Sequence, residues 1–349
     1  MTPRPARERL GVTHAAGCYH PGTGSFLVAG AQEVERLGSS VIKLWFDGHP
    51  ELAYRFDPLW PRIASLTQQA QEPRFEQVFT MPFTSYVLEA FRAAPVADYW
   101  LRDGFTEEDA AAEAEEFREL TVHFRERYRG TGKTFVVQNW EGDWAVRGHT
   151  DRTRFADPDA LERFERWIMA RQRGVEQGRA ETPDSDVAVW NAVEVNLVKS
   201  AMDGNVELTT HVLPRLRCDL YSYSCWDPPG ADGELTRRLE FIRDHCEPSE
   251  GFGRDNVFLG EYGFPELQPS WMEQIGDEAA AAITADMARE ALAFGCPYVL
   301  FWEVYDNECE RQPEGCLGAW LIKPDGSESA TRRALAAVLD DDNKREPEP

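Results

Sequence analysis

Two glutamates of the chain could carry acid and base chemistry, because each closely follows an apolar segment of strand length. Glu141 comes after residues 134–139, among tryptophans, and Glu261 comes after residues 256–260, between a glycine and a tyrosine. A carboxyl group that is kept protonated can donate a proton, whereas an ionised one can attack carbon or activate water. Two such groups facing one bond can therefore cleave it, and this chemistry needs neither a metal nor another cofactor.

Tryptophans near the ends of predicted strands favour a sugar as the molecule on which these carboxyl groups act. The apolar face of a pyranose stacks on an aromatic ring, while its hydroxyl groups bond to carboxylates and amides. A carboxyl pair cleaves glycosidic bonds with retention at a separation of about 5–5.5 Å and with inversion at about 6.5–9.5 Å. The tryptophans concerned are Trp45, Trp140, Trp144, Trp226 and Trp302.

Other polar side chains near strand ends are predicted to bind the substrate around the two glutamates. Asn139 is expected to bond a hydroxyl group near the reacting carbon. Glu194, which ends another apolar strand, is expected to bind the substrate or to replace Glu141 as the acid. The remaining predicted substrate-binding residues are Asp47, His49, Trp140 and Glu303.

Apolar segments alternate with amphipathic helical segments along the chain, and the alternation repeats eight times. The predicted strands are 10–16, 40–46, 75–82, 134–139, 187–195, 218–224, 256–260 and 298–301. The predicted helices are 26–37, one that begins at Asp57-Pro58, 106–129, 157–173, 235–245, 277–294 and 329–339.

This alternation predicts the fold class. Continuously apolar strands between helices are typical of a parallel sheet that is covered on both faces, and eight such units can close into a barrel. The sequence therefore predicts an α/β protein, a single-domain (β/α)8 (TIM) barrel over residues 1–339, followed by a charged, disordered tail at 340–349. An open doubly wound sheet is the alternative.

The charge of the chain excludes some classes of partner. The sequence has 37 basic and 61 acidic residues, a net charge of −24. Nucleic acids and anionic membrane surfaces are bound by clustered Lys and Arg, so neither is an expected partner. No apolar run reaches the roughly 18 residues of a membrane span.

The cysteines and the N-terminal residues predict a cytoplasmic protein. The seven cysteines are scattered without a C-x-x-C pair, as is typical of reduced thiols, and the chain begins without the apolar segment of a secretory signal. Cys309 and Cys316 could form a bridge or half of a metal site, but are interpreted as two loop thiols.

The residues resemble those of the clan A glycoside hydrolases, and the resemblance covers nearly the whole chain in element order. Gly260-Glu261-Tyr262-Gly263 is similar to the nucleophile segment after strand seven of these barrels. The resemblance implies a retaining glycosidase without a cofactor, with Glu261 as nucleophile and Glu141 as acid/base. It also implies that Tyr223 bonds the nucleophile and that Trp302 forms the floor of the sugar site. In the clan, Asn and Glu are adjacent after strand four, whereas Trp140 separates them here.

Two other functions remain open on the sequence alone. One is a divalent-metal-dependent sugar isomerase or hydrolase, since strand-end carboxylates suit Mg²⁺ or Mn²⁺. The other is a barrel that binds a carbohydrate without converting it. The ligands of the metal alternative would be Glu141, Glu194, Asp219 and Glu261 with His14 or His211.

Overall fold

Eight parallel strands form a closed barrel in which each strand pairs with the next in the sequence and the last pairs with the first. The computed structural model describes residues 4–94, 98–102, 104–226, 233–268, 274–311 and 314–343. The barrel strands are β1 (Leu10–His14), β2 (Val41–Phe46), β3 (Ser85–Ala90), β4 (Thr134–Gln138), β5 (Ala188–Val195), β6 (Leu220–Cys225), β7 (Val257–Tyr262) and β8 (Val299–Phe301). The predicted (β/α)8 barrel is confirmed.

Helices surround the barrel and also occupy the segments that follow several strands. The long outer helices are α1 (Phe26–Leu37), α4 (Pro73–Thr80), α6 (Glu107–Arg127), α8 (Pro158–Glu181), α11 (Glu234–Asp244), α12 (Asp277–Phe294) and α13 (Ala330–Asn343). The short ones are α2 (Pro50–Ala53), α3 (Leu66–Ala70), α5 (Tyr99–Arg102), α7 (Gly142–Arg147), α9 (Val198–Met202) and α10 (Leu208–His211), with 3-10 turns at Ala6–Glu8 and Leu213–Arg215.

The strands are buried on both faces, which explains why the sequence shows continuous apolar runs instead of alternation. Every residue of β3, β6 and β7 is buried. The outer face of the sheet packs under the helices in one hydrophobic core. The inner face, near the C-terminal ends of the strands, instead carries buried charged side chains, including Lys43, Glu89 and Glu194.

Capping residues fix several of the predicted helix ends. Thr106 and Asp109 form the predicted capping box at the start of α6. Gly38 and Gly295 end α1 and α12 in the left-handed conformation, with φ of 95° and 104°, as expected from their positions. The predicted bounds of both helices, 26–37 and 277–294, are those observed.

The third predicted strand is wrong. Residues 73–80 form α4, whose buried Phe75, Val78 and Phe79 recur at helical spacing, and the real β3 lies further along, at Ser85–Ala90. A run of apolar residues this short fits a buried strand or a helix, and Pro73 at the first helical position decides for the helix.

The helix predicted to begin at Asp57-Pro58 is also absent from this part of the described chain. The carboxylate of Asp57 instead accepts hydrogen bonds from the backbone N–H groups of Phe26 (2.8 Å) and Leu27 (3.0 Å). Asp57 thus caps α1, a helix that precedes it in the sequence, and does not start one of its own.

The C-terminal prediction is partly wrong, because α13 continues through residues 340–343. The rest of the predicted tail, 344–349, lies outside the described residues. Every helix of the described ranges is too short or too polar to cross a lipid bilayer.

The interpretation of Cys309 and Cys316 as loop thiols is wrong as well. They lie opposite each other in a two-stranded hairpin, β9 (Cys309–Arg311) and β10 (Glu314–Cys316), and form a disulfide. The other five cysteines are buried and take no part in a disulfide among the described residues.

Candidate active site

A cavity of about 560 Å³ opens at the C-terminal ends of the barrel strands. Glu141 and Glu261 both line it, together with Asp47, Asn307 and Glu308. Active sites of (β/α)8 barrels lie at this end, so the two predicted catalytic residues are in the expected place. All five tryptophans singled out in the sequence also line this one cavity: Trp45, Trp140, Trp144, Trp226 and Trp302.

A bulge in β7 aims Glu261 at the cavity. The pairing with β6 shifts so that Leu259 lies opposite Tyr223 but Glu261 lies opposite Ser224. Gly260 is the extra residue, and a Cβ atom there would overlap Ser222 Oγ and lie 2.5 Å from Glu194 Oε2. Only glycine at position 260 therefore leaves room for the side chains of Ser222 and Glu194 to lie this close to β7.

The carboxylate of Glu261 is held by three donors, one on β2, one on β6 and one directly after the end of β6. Lys43 Nζ donates to its Oε1 (2.8 Å), while Ser224 Oγ (2.9 Å) and Trp226 Nε1 (3.1 Å) donate to its Oε2. Burial alone would raise the pKa of Glu261, but Lys43 and the hydrogen bonds outweigh it and lower the pKa below its ordinary value. Glu261 is thus ionised at neutral pH, as a nucleophile must be.

Glu141 has the opposite ionisation state. It is 7% exposed at the N-terminus of α7, in a backbone conformation with φ of 26°. Burial, with the charges of Glu261 and Glu194, raises the pKa of Glu141 to about 9. Its carboxyl group therefore keeps a proton at neutral pH that it can donate.

One hydroxyl group joins the two carboxyl groups. Ser224 Oγ lies 3.0 Å from Glu141 Oε1 and 2.9 Å from Glu261 Oε2. The two oxygens can be separated by no more than the sum of these lengths, and that limit lies below the separation of about 6.5–9.5 Å that inversion requires. Two neighbouring carboxyl groups with opposite protonation are the arrangement needed for acid and nucleophile.

Glu194 is bonded within the protein and fixes the position of Glu141. It accepts the backbone N–H of Glu141 (3.0 Å) and bonds from Ser222 Oγ (2.6 Å) and Gln138 Nε2 (3.0 Å). Burial raises its pKa to about 7. Asn139 lies behind it, with its side-chain amide bonded to the backbone N–H and C=O of Glu194. Neither residue lines the cavity in the described structure, and their predicted contacts with substrate stay predictions.

The expectation for Tyr223 is corrected. Side chains alternate between the two faces of a strand, and the inward positions of β6 are Ser222 and Ser224. Tyr223 faces the other side of the sheet, toward Arg238 of α11. The hydroxyl group that bonds Glu261 therefore belongs to Ser224, one residue further along.

Of the remaining predicted substrate-binding residues, some line the cavity and others do not. Trp302 lines it, with its ring centroid 5.8 Å from Lys43 Nζ and its Nε1 donating to Asn307 Oδ1 (3.3 Å). Glu303 is fully buried beside the cavity, where burial raises its pKa well above the usual range. Asp47 lines the cavity and accepts the backbone N–H of His49 (2.9 Å).

His49 itself faces a neighbouring cavity of about 1020 Å³. Its ring lies 3.3 Å from Glu51 in that cavity. His49 is therefore not among the described residues that line the cavity with Glu141 and Glu261.

Sequence reasoning missed Lys43, Glu89 and Ser224. Lys43 is one of five lysines in the chain and stands in the middle of the apolar strand β2. A charged residue in the middle of a buried strand is a signal of a buried polar network. Glu89 gave the same signal, but lay outside the segment chosen as the third strand.

Of the ligands of the metal alternative, Glu141, Glu194 and Glu261 lie near one another, whereas Asp219 and the two histidines lie elsewhere. His14 Nε2 lies 3.0 Å from the carbonyl oxygen of Phe26, and Asp219 pairs with Arg179 (3.0 Å) before β6 begins. His211 lies on α10 beside Thr210. Glu194 and Glu261 meet Glu89, with carboxyl oxygens of the three within 4.8 Å of one another, and the Lys43 ammonium lies among them.

Solved structures with the same fold include several glycoside hydrolases. A GH5_18 variant from Streptomyces cattleya, in complex with Manb1-4GlcNAc, has a TM-score of 0.63 and 16% identity over 99% of this chain and 83% of that one. A GH39 beta-xylosidase from Caulobacter crescentus (0.53, 13%; 97% and 72%) and a family 5 xyloglucanase from Paenibacillus pabuli (0.56, 10%; 97% and 99%) are also similar. The chain has the barrel fold of these enzymes. Comparison with protein-family models gives no match, and a search of curated proteins gives none either.

Proposed function

We propose that the protein is a retaining glycoside hydrolase in which Glu141 is the acid/base and Glu261 the nucleophile. The observation that carries the proposal is the pair itself, one carboxyl group protonated and one ionised, bridged by Ser224 under a cavity lined with tryptophans. The barrel fold shared with glycosidases of families 5 and 39 supports it.

The reaction proceeds in two steps that use the same two residues. In the first, Glu141 donates its proton to the glycosidic oxygen while Glu261 attacks the anomeric carbon, so that the leaving group departs and a glycosyl ester forms. In the second, Glu141, now ionised, removes a proton from water as the water attacks the anomeric carbon. Glu261 is released as a carboxylate, and Glu141 is again protonated.

The lining of the cavity favours an uncharged sugar. Among the described lining residues none is Lys, Arg or His, whereas Asp47, Glu141, Glu261 and Glu308 are all acidic. A uronic acid or a sugar phosphate would meet like charge there without a basic partner. The tryptophans supply faces on which sugar rings stack, and Asp47 and Glu308 can accept bonds from hydroxyl groups.

The cysteines bear on the compartment of the protein. Five buried cysteines that remain thiols support the predicted cytoplasmic location, whereas a bridge such as Cys309–Cys316 forms in oxidising surroundings. Alkylation of the thiols at the moment of cell lysis, followed by mass spectrometry, shows whether these two cysteines are bridged in the cell.

The decisive experiment measures hydrolysis of a panel of neutral aryl glycosides and of Manβ1-4GlcNAc, with and without a chelator. Glu261→Gln is expected to lower turnover by a factor of at least about 10³, because an amide cannot form the ester intermediate. The first sugar released is expected to keep its anomeric configuration, as seen by proton NMR. The matched control is Glu113→Gln, which changes another buried carboxyl group, on α6 beside Tyr99, and should leave turnover unchanged.

Other outcomes would favour the alternatives. Activity that a chelator abolishes would support the metal-dependent enzyme. Binding of a sugar without release of product, unchanged in Glu261→Gln, would support the binding barrel.

A further inference from the structure

Below the nucleophile, one buried cation faces three buried carboxyl groups. The ammonium of Lys43 donates to Glu261 Oε1 (2.8 Å) and to the carbonyl oxygen of Gly260 (3.1 Å). It also lies 2.6 Å from Glu89 Oε1 and 3.9 Å from Glu194 Oε2. The side chains of Lys43 and Glu194 are fully buried, and those of Glu89 and Glu261 are 1% and 2% exposed. One positive charge cannot balance three negative ones without water, so this cluster must hold protons.

The donors around each carboxyl group distinguish the three. Glu261 accepts bonds from Ser224 and Trp226 in addition to Lys43. Glu194 accepts three bonds from donors of the protein. Glu89 has the ammonium of Lys43 as its one donor among the described residues, and it shares that ammonium with Glu261. A carboxylate that shares its one donor is the most costly of the three to bury in the ionised form, so the proton belongs on Glu89.

The directions of the pKa shifts agree with this assignment. Burial raises the pKa of Glu89 well above its ordinary value, and the attraction of Lys43 offsets only part of that effect. The pKa of Glu261, by contrast, is lowered, and a hydrogen bond with Glu89 is one of the causes. A neutral Glu89 can be the donor of that bond, whereas an ionised Glu89 cannot.

The protonation of Glu89 matters for Glu261. An ionised Glu89 would compete for the ammonium of Lys43 at 2.6 Å and would repel the charge of Glu261. A neutral Glu89 leaves the ammonium of Lys43 to stabilise the negative charge of Glu261. This charge is present before Glu261 attacks the sugar, and it returns when the glycosyl ester is hydrolysed.

We propose that Glu89 is a positioning residue, held as a neutral acid that donates to Glu261 and leaves the charge of Lys43 to the nucleophile. The inference rests on the proposed function for its kinetic consequence, but the protonation of Glu89 can be measured without turnover.

The first test compares Glu89→Gln with Glu89→Ala by the pH profile of kcat/KM. Glutamine resembles the neutral acid in shape and keeps a donor, so it is expected to restore most of the turnover that alanine loses, which we expect to be 10- to 100-fold. The alanine variant is also expected to move the acidic limb of the profile to higher pH, because Glu261 has lost a donor. The titratable groups that face Glu261 or Glu89 are Lys43, Tyr54, Glu141, Glu194, Glu303 and Glu308.

The second test uses infrared difference spectroscopy of the whole protein at pH 7, wild type against Glu89→Gln. The variant is expected to lose one band of a protonated carboxyl group. Loss of a carboxylate band instead, or a glutamine variant as inactive as the alanine one, would overturn the inference. Thermal unfolding of both variants shows whether they fold.

The two proposals fail in different ways. If Glu261→Gln keeps wild-type turnover, the proposed function fails, and the infrared spectrum still decides the state of Glu89. If Glu261→Gln is inactive but Glu89→Gln lowers turnover as far as alanine does, only the inference about Glu89 fails.

Discussion

At the scale of the residue, two side chains of the same type in the site differ in their protonation. Glu141 and Glu261 are both buried glutamates, yet one has a raised pKa and the other a lowered one. The difference comes from Lys43, which donates to Glu261 directly but acts only weakly on Glu141. Burial and two neighbouring carboxylates raise the pKa of Glu141, whereas Lys43 and the hydrogen bonds lower that of Glu261.

These shifts predict a broad, bell-shaped dependence of kcat/KM on pH. The proposed mechanism requires Glu141 protonated and Glu261 ionised. Activity should therefore fall as the pH rises through about 9, the pKa of Glu141, and fall again below pH 4.5 as Glu261 gains a proton.

The profile can be measured with an activated aryl glycoside between pH 3 and 10. With such a substrate Glu141→Gln should lose the alkaline limb, because the group that titrates there is gone. An alkaline limb that persists in this variant would assign the acid to another residue.

At the scale of the element, the bulge in β7 decides which side chains meet. Gly260 lets both itself and Glu261 face the inside of the barrel, next to Ser222 and Glu194. An ordinary strand would have turned one of the two positions outward.

Gly260→Ala is therefore expected to disturb the site and the fold together. The added methyl group would overlap Ser222 Oγ and crowd Glu194, so the strand must shift. We expect a loss of about 1–3 kcal/mol in the free energy of unfolding and a loss of turnover of at least tenfold.

Chemical denaturation and steady-state kinetics measure both effects of this change. Gly22→Ala is the control, because a Cβ atom there would meet only the ring of His20 at 3.6 Å. Equal behaviour of the two variants would show that the close packing at residue 260 is not required.

The same scale shows where sequence reasoning succeeded and where it did not. Elements with their own end signals were predicted well, such as α1 and α12, which both end at a left-handed glycine. The strand predicted at residues 75–82 was wrong because a short apolar run does not reveal its period. The hydroxyl group that bonds Glu261 was assigned to Tyr223 and not to Ser224, since a shift of one residue reverses the facing side. The pairing of Cys309 with Cys316 depends on a hairpin that the pattern did not reveal.

At the scale of the whole molecule, buried acids and the net charge act in the same direction on stability. Glu141 and Glu194 have pKa values of about 9 and 7 in the folded protein, above the ordinary value of 4.5. Between pH 4.5 and these raised values, the folded state therefore binds more protons than the unfolded state. Its stability falls as the pH rises through this range. The charge of −24 adds repulsion at neutral and higher pH.

The midpoint of thermal unfolding is thus expected to be higher near pH 5.5 than near pH 8.5, by on the order of 5 °C. Differential scanning calorimetry at both pH values, in low and high salt, checks this. Salt should reduce the part due to surface repulsion, while Glu194→Gln should reduce the part due to the buried acid. A midpoint that rises toward pH 8.5 would contradict the assigned direction of both shifts.

The charged cluster at the centre of the barrel also has a consequence for how the chain assembles. Lys43 and Glu89 come from strands β2 and β3, whereas Glu194 and Glu261 come from β5 and β7. The cation of the cluster thus lies in the first half of the barrel, and two of the carboxyl groups that face it lie in the second half. In a fragment of four strands these groups would lack their counterparts, so we expect closure of the barrel and formation of the charged cluster to occur together in folding.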